Sequence, residues 1–146
     1  MTRTVKYLLR SPTGGLTANL TAHARLTTES VDPPDVQIHG SVRLALPPGG
    51  LHWKDLAWLS FGVALNAREL TKRFPHGITI QVTSIEAPPS DYRSEVAALA
   101  MNLWLHEEFE IPFNNVGAEF NISSGDYEFR WDDEGDPFSD PLIEPR

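Results

Sequence analysis

Polar side chains that could bind an anionic partner recur at every second position in two segments, 16–27 and 36–46. Alternate side chains of an extended strand point to the same face, so these groups would share one surface. Guanidinium, imidazole and carboxamide groups bind carboxylates and phosphates through directional hydrogen bonds. The predicted binding residues of this surface are His23, Arg25, Gln37, His39 and Arg43.

Three kinds of ligand suit such a surface: an acidic protein segment, a phosphate-bearing ligand and RNA. Lys6 and Arg10, on a plausible preceding strand, would extend it, and no acid lies on these three strands. The surface lacks the aromatic side chains on which unpaired bases stack, which disfavours RNA. An ordinary solvated face is the alternative to any binding function.

The chain lacks the patterns that identify common catalytic sites. It has no cysteine, no glycine-rich phosphate loop, no HExxH and no GxSxG. His106 and Glu110 are four residues apart and could form half of a metal site, but no third ligand stands at a supporting spacing. We therefore interpret them as a polar helix end and expect no metal and no cofactor.

The segment Ser90-Asp91-Tyr92-Arg93 precedes an alanine-rich run and predicts the start of a helix. A helix start can bind an anion through its unpaired N–H groups. Capping explains the same residues without a ligand, so we expect Ser90 to be the N-cap.

The C-terminal end is strongly acidic. Residues 126–146 hold eight acids and two arginines. We expect residues 132–146 to form a flexible tail that orders on a basic partner or simply solvates the chain end. Its candidate partner-binding residues are Asp132, Asp133, Glu134, Asp136 and Phe138.

The net charge of −8 over 146 residues is unevenly distributed. Residues 1–46 hold five basic and three acidic side chains. The overall charge therefore opposes nucleic-acid binding by the whole surface, but does not oppose it at the sheet face. This asymmetry leads to the hypothesis that the acidic tail folds back over the cationic face.

Alternating hydrophobicity predicts the strands. Residues 16–27 alternate without interruption, and residues 36–46 predict a single strand in which Gly40 marks a bulge or a close approach by a helix. A shorter first strand covers 5–10. The link at 29–35 is typical of an irregular hairpin loop between the second and third strands.

Helical periodicity follows the Pro-Pro pair at 47–48. A stripe of apolar residues from Leu56 to Phe74 predicts one helix that Pro75 ends. Residues 78–82 predict a strand, and the run from Ser90 to Pro112 predicts a central, largely buried helix. Alternation at 118–122 and 127–131 predicts a closing hairpin.

These elements predict a single α+β domain over residues 1–131, in the order β-β-β-α-β-α-β-β. Cleanly alternating strands are typical of a mostly antiparallel sheet with one packed face. Two helices on that face would make a two-layer sandwich.

The segment Gly77–Phe109 combines a strand, the Ser90-Asp91-Tyr92-Arg93-Ser94-Glu95 turn and an alanine-rich helix. Together with the preceding elements, it resembles domain 2 of ribosomal protein S5, a fold shared with domain IV of translocation-type elongation factors. The resemblance covers roughly residues 5–110 and implies the fold only. Because that superfamily includes RNA-binding domains, kinases and isomerases, no catalytic residue is carried over.

We expect a cytoplasmic interaction or accessory protein that binds another protein. The longest apolar run, Val96 to Met101, is too short to span a membrane. One alternative is a small enzyme or ligand-binding domain, and a further alternative is an RNA-binding module. The acid–base groups of such an enzyme would come from His23, His39, Asp91, Tyr92 or His106.

Overall fold

Five strands form one mixed sheet that carries the candidate binding surface. The computed structural model describes residues 2–26, 36–112 and 114–132. Within these residues, the strands are paired in the order β1-β2-β5-β4-β3, and each pair is antiparallel except β4–β5, which is parallel. The strands are β1 (Thr2–Ser11), β2 (Gly14–Leu26), β3 (Val36–His39), β4 (Val42–Ala45) and β5 (Ile78–Glu86). With its helices, the chain is therefore an α+β fold.

The prediction of one continuous strand at 36–46 is wrong, because the chain reverses at Gly40-Ser41. Gly40 has a φ of 56°, a left-handed conformation that glycine adopts without steric cost. Among the described residues, no atom lies within 4 Å of the position that a Cβ would occupy there, so none of the described helices approaches this residue. A register shift lies between Gln37 and His39, just before the turn.

The predicted hairpin between the second and third strands is also wrong. β5 and β4 lie between β2 and β3, and the connection at 27–35 falls outside the described residues. Ile78, Ile80 and Val82 of β5 are 2% exposed or less, and a central strand buries such side chains most completely. The most apolar short strand thus occupies the middle of the sheet.

The predicted helix at 56–74 is two helices, α1 (Trp53–Ala64) and α2 (Ala67–Arg73). Asn66 lies at the break, where its Nδ2 donates to the Gly62 carbonyl oxygen at 3.1 Å and to Asn102 Oδ1 at 2.9 Å. Side-chain hydrogen bonds of this kind compete with helical backbone bonds. The apolar stripe nevertheless continues across the break, since Leu59, Val63 and Leu70 are all fully buried.

The third helix, α3 (Glu95–Phe109), is buried along most of its length, as predicted. The expected N-cap at Ser90 is wrong, because Pro89–Asp91 forms a separate 3₁₀ turn and Tyr92 is extended, with φ −127° and ψ 134°. Ser94 precedes the first residue of α3 without a capping side-chain hydrogen bond.

The closing hairpin is confirmed as β6 (Val116–Asn121) and β7 (Asp126–Trp131), a separate two-stranded sheet. Trp131 is buried, and its ring lies 5.5 Å from that of Trp58 and 5.3 Å from that of Phe61. These aromatic contacts attach the hairpin to α1.

One hydrophobic cluster joins the apolar side of the five-stranded sheet to all three helices. Leu16, Leu20 and Leu44 contribute from the strands, and Leu59 and Trp104 contribute from the helices. Within the described residues, no helix is long and apolar enough to cross a membrane.

Candidate functional site

Three of the predicted binding residues lie in one row across four strands. Arg25 pairs with Thr79, Thr79 with Arg43, and Arg43 with Gln37. Because paired residues direct their side chains to the same face, these four residues form what we call the arginine row. Arg25 and Arg43 are separated by two strand spacings, or about 10 Å.

Gln81 of β5 positions the Arg25 guanidinium. Its Oε1 accepts a hydrogen bond from Arg25 Nη1 at 2.8 Å, while its Nε2 donates to the Leu46 carbonyl oxygen at 2.9 Å. The backbone bond fixes the carboxamide so that its oxygen faces Arg25. His23, the fourth predicted residue on this face, pairs with Gln81 in the adjacent row.

Arg43 is the second guanidinium of the arginine row. Among the residues that the structure describes, no carboxylate lies within 4.0 Å of the Arg43 guanidinium. Thr79, between the two arginines, is only 1% exposed. The side chain between the two guanidinium groups of the row is therefore buried.

His39 does not belong to the row. It follows the register shift that separates it from Gln37, and it lies exposed next to the β3–β4 turn. The periodicity of the sequence aligned His39 with Gln37, but the turn at Gly40 removes it from that alignment.

Lys6 and Arg10 share the outward face but lie far from the arginine row. Lys6 pairs with Asn19, which is six residues along β2 from Arg25, or about 20 Å away. On its other side Asn19 pairs with Glu86, a carboxylate that β5 brings to this face. The cationic character is thus concentrated at the arginine row.

The acidic residues proposed for partner binding are mostly outside the described residues. The described residues exclude Asp133, Glu134 and Asp136, together with the apolar Phe138. The hypothesis that the tail covers the sheet concerns the same segment and stays a prediction. Asp132 is described and exposed, with a φ of 62°.

The other chemical candidates are dispersed. Among the described residues, no three His, Asp or Glu side chains are grouped to hold a metal ion. Glu110 is the residue after α3, in a left-handed conformation, and so does not continue the helix face that carries His106.

Two residues that follow Ser90 form side-chain hydrogen bonds to other elements of the fold. Tyr92 donates from its hydroxyl to Asp55 Oδ1 at 2.5 Å. Arg93 donates to Asp126 Oδ1 at 2.7 Å and to Glu95 Oε2 at 3.0 Å. These hydrogen bonds of Tyr92 and Arg93 link the segment to α1, α3 and β7.

The sequence did not identify two β5 residues of this surface. Thr79 belongs to the arginine row, and Gln81 pairs with His23 in the adjacent row. Both alternate with apolar residues in the 78–82 pattern, so their outward direction was detectable. Their position between β2 and β4 was not, because strand order depends on contacts distant in sequence.

Comparison of the chain with protein-family models, with curated proteins and with solved structures gave no match to any of them. The resemblance to domain 2 of ribosomal protein S5 therefore stays a prediction.

Proposed function

We propose that this protein is a non-enzymatic interaction protein that binds an acidic polypeptide segment on the outward face of its five-stranded sheet. The arginine row carries the proposal: two guanidinium groups about 10 Å apart, with Arg43 lacking a carboxylate partner among the described residues. Guanidinium groups bind carboxylates through paired, charge-assisted hydrogen bonds.

The surroundings of the row support a protein ligand over RNA. His23, which pairs with Gln81, adds an imidazole next to the arginines. Among the described residues, the outward positions paired across these strands hold no phenylalanine, tyrosine or tryptophan, the side chains on which unpaired bases mainly stack. An extended acidic segment needs only cations and hydrogen-bond donors.

Binding on this face requires that the helices lie on the opposite side of the sheet. We therefore propose a two-layer sandwich in which all the helices cover the apolar face. A cytoplasmic location, where such a partner would be met, remains a prediction.

The binding test uses a fluorescein-labelled oligoglutamate peptide and fluorescence anisotropy at low salt. We expect saturable binding that Arg43→Gln weakens about tenfold, because one charge-assisted pair contributes about 1.4 kcal/mol. The matched control is Arg68→Gln, since Arg68 is exposed on α2 and forms no ion pair with a described residue. We expect this control to bind like the wild type.

Equal losses of peptide affinity in Arg43→Gln and Arg68→Gln would contradict the assignment of the binding site to the arginine row. Absence of saturable binding at low salt would contradict an acidic ligand altogether. If a labelled oligouridylate binds more tightly than the peptide, and Arg43→Gln weakens that binding, then the ligand is RNA and not an acidic segment.

A further inference from the structure

A pocket of about 340 Å³ lies at the edge of the five-stranded sheet, between β1, α3 and the start of β6. Within the described residues β1 pairs only with β2, so it is an edge strand. Consecutive side chains of a strand point to opposite faces, and at an edge both faces border the same space. Lys6, Tyr7 and Leu8 accordingly all line the pocket. Volumes in this range accommodate small organic ligands.

One part of the lining is apolar. Leu99 and Leu103 are four residues apart, so they share one face of α3. Leu8 of β1 and Val116 of β6 add two further aliphatic side chains, and Leu8 is 45% exposed. An apolar ligand that covers these side chains removes their surface from water, which favours binding. The pocket is therefore suited to a ligand with an apolar body.

Lys6 supplies the charge of the pocket. Among the described residues, no carboxylate lies within 4.0 Å of its ammonium group. The other titratable lining residues are His106 and Tyr7, and both are neutral at pH 7, because burial lowers the pKa of the imidazole and raises the pKa of the phenol. The described lining residues thus carry one positive charge and no negative charge.

The Tyr7 hydroxyl is an unused hydrogen-bond donor in this lining. It forms no hydrogen bond with a described residue. Among the described side chains, only His106 Nε2 is both unpaired and closed to solvent, so the Tyr7 hydroxyl keeps an accessible surface that a ligand can reach. Arg130 offsets part of the effect of burial on the pKa of Tyr7, which places a second cation near this hydroxyl.

We propose that this pocket binds a small monocarboxylate with an apolar body. The carboxylate would accept a hydrogen bond from the Tyr7 hydroxyl, and the Lys6 ammonium would balance its charge. A carboxylate matches the single positive charge of the lining, whereas a phosphate monoester carries nearly two negative charges at pH 7. Lys6 lies about 20 Å from the arginine row, so this site stands or falls independently of the peptide-binding function.

Titration of the ¹⁵N-labelled full chain with hexanoate, and separately with 1-hexanol, tests the proposal by NMR at pH 7 and low salt. The two compounds have chains of equal length, but only hexanoate is charged. We expect saturable shifts at the amides of Leu99, Leu103 and Val116, and about tenfold tighter binding of hexanoate than of hexanol.

Lys6→Gln tests the role of the charge. We expect it to weaken hexanoate binding about fivefold and to leave hexanol binding unchanged. Lys54→Gln is the matched control, because Lys54 is exposed, lies outside the pocket and also has no carboxylate within 4.0 Å among the described residues. Equal affinities of the two variants for hexanoate would overturn the role of Lys6.

Tyr7→Phe tests the hydrogen bond. This variant is expected to fold, because the ring is kept and no hydrogen bond to a described residue is lost. Hexanoate should bind about fivefold more weakly to it than to the wild type. An unchanged affinity would overturn the assignment of the carboxylate to the Tyr7 hydroxyl.

Leu103→Trp and Arg43→Gln locate the binding site. The larger side chain of Leu103→Trp fills the pocket and should abolish the shifts from both compounds, whereas Arg43→Gln should leave hexanoate binding unchanged. Hexanoate shifts that are confined to the arginine row and are lost in Arg43→Gln would overturn the pocket as the site. Absence of saturable shifts would also overturn the site, and equal binding of hexanoate and hexanol would overturn the preference for a carboxylate.

Discussion

At the residue scale, the Tyr92 hydroxyl joins the segment before α3 to α1. It donates to Asp55 Oδ1 at 2.5 Å. Burial raises the pKa of Tyr92, and the hydrogen bond and negative charge of Asp55 raise it further. The phenol therefore stays protonated at neutral pH and remains a permanent donor.

Tyr92→Phe is expected to lower the free energy of unfolding by about 1–2 kcal/mol, since a hydrogen bond to a charged acceptor is lost. Urea denaturation measures this change. Tyr127→Phe is the matched control, because in the described part of the chain the Tyr127 hydroxyl bonds only to the neutral Ser11 hydroxyl, at 2.7 Å. Its loss should be smaller, about 0.5–1 kcal/mol. If both variants lost the same free energy of unfolding, the charge of Asp55 would not strengthen the hydrogen bond from Tyr92.

Asparagine side chains are a second residue-scale feature, because two of them are buried in the core. Asn66 is 4% exposed and Asn102 is 8% exposed. Asn66 donates one side-chain hydrogen bond to Asn102, and Asn102 exchanges two with Asn114. Such pairing offsets the cost of burying polar groups. The sequence shows the asparagines but not their mutual contact.

At the element scale, Gly62 sets the contact between α1 and α3. A Cβ at this position would lie 2.8 Å from the Ala98 carbonyl oxygen and 2.8 Å from Met101 Cβ. Only a residue without a side chain permits this approach. The close contact holds α1 against α3, and α3 in turn lines a pocket with Leu99, Asn102, Leu103 and His106.

Gly62→Ala is expected to destabilise the fold by about 1–3 kcal/mol, because the helices must move apart. Helix propensity alone would predict a gain of about 1 kcal/mol, so the sign of the change is decisive. Thermal and urea denaturation measure it. The matched control is Gly49→Ala, where no atom of a described residue lies within 4 Å of the added Cβ. A more stable Gly62→Ala variant would contradict the close contact.

Strand order is the element-scale property that the sequence did not reveal. Periodicity identifies which side chains of β2 and β5 share a face, because alternation is a property of each strand alone. Pairing of β2 with β5 joins residues more than fifty positions apart, as for Arg25 and Thr79. Arg25, Arg43 and Gln37 were therefore predictable as outward residues, whereas the row that they form was not.

At the scale of the whole molecule, pH affects stability through His106. Burial lowers the pKa of this imidazole below that of the unfolded chain. The unfolded state consequently binds a proton first as the pH falls, which destabilises the folded state. Lys6 and Tyr7 are the other titratable residues that line the pocket, while the neighbouring Glu107 and Glu108 both lie within ion-pair distance of Arg3.

Relative to His106→Leu, the wild type is expected to lose stability between about pH 7.5 and about pH 5, the interval in which an unperturbed histidine titrates. Urea denaturation of both proteins across this interval measures the difference. A constant difference in the free energy of unfolding would contradict the lowered pKa.

The uneven distribution of charge is also a property of the whole molecule. The chain carries a net charge of −8, yet the outward face of the sheet brings together Arg25 and Arg43. Composition alone opposes an anionic ligand, but local electrostatics govern binding because salt screens charges beyond about 10 Å.

The sequence by itself determined the alternation of β1 and β2, the burial of α3 and the closing hairpin, since hydrophobic period and turn residues act over a few neighbouring positions. Only the tertiary structure decided the central place of β5, the turn at Gly40, the helix break at Asn66 and the pocket beside His106. Each of these depends on contacts between distant segments, such as Asn66 with Asn102, whose free energy is not encoded in any local pattern. The surface that we propose to bind an acidic segment also results from such contacts.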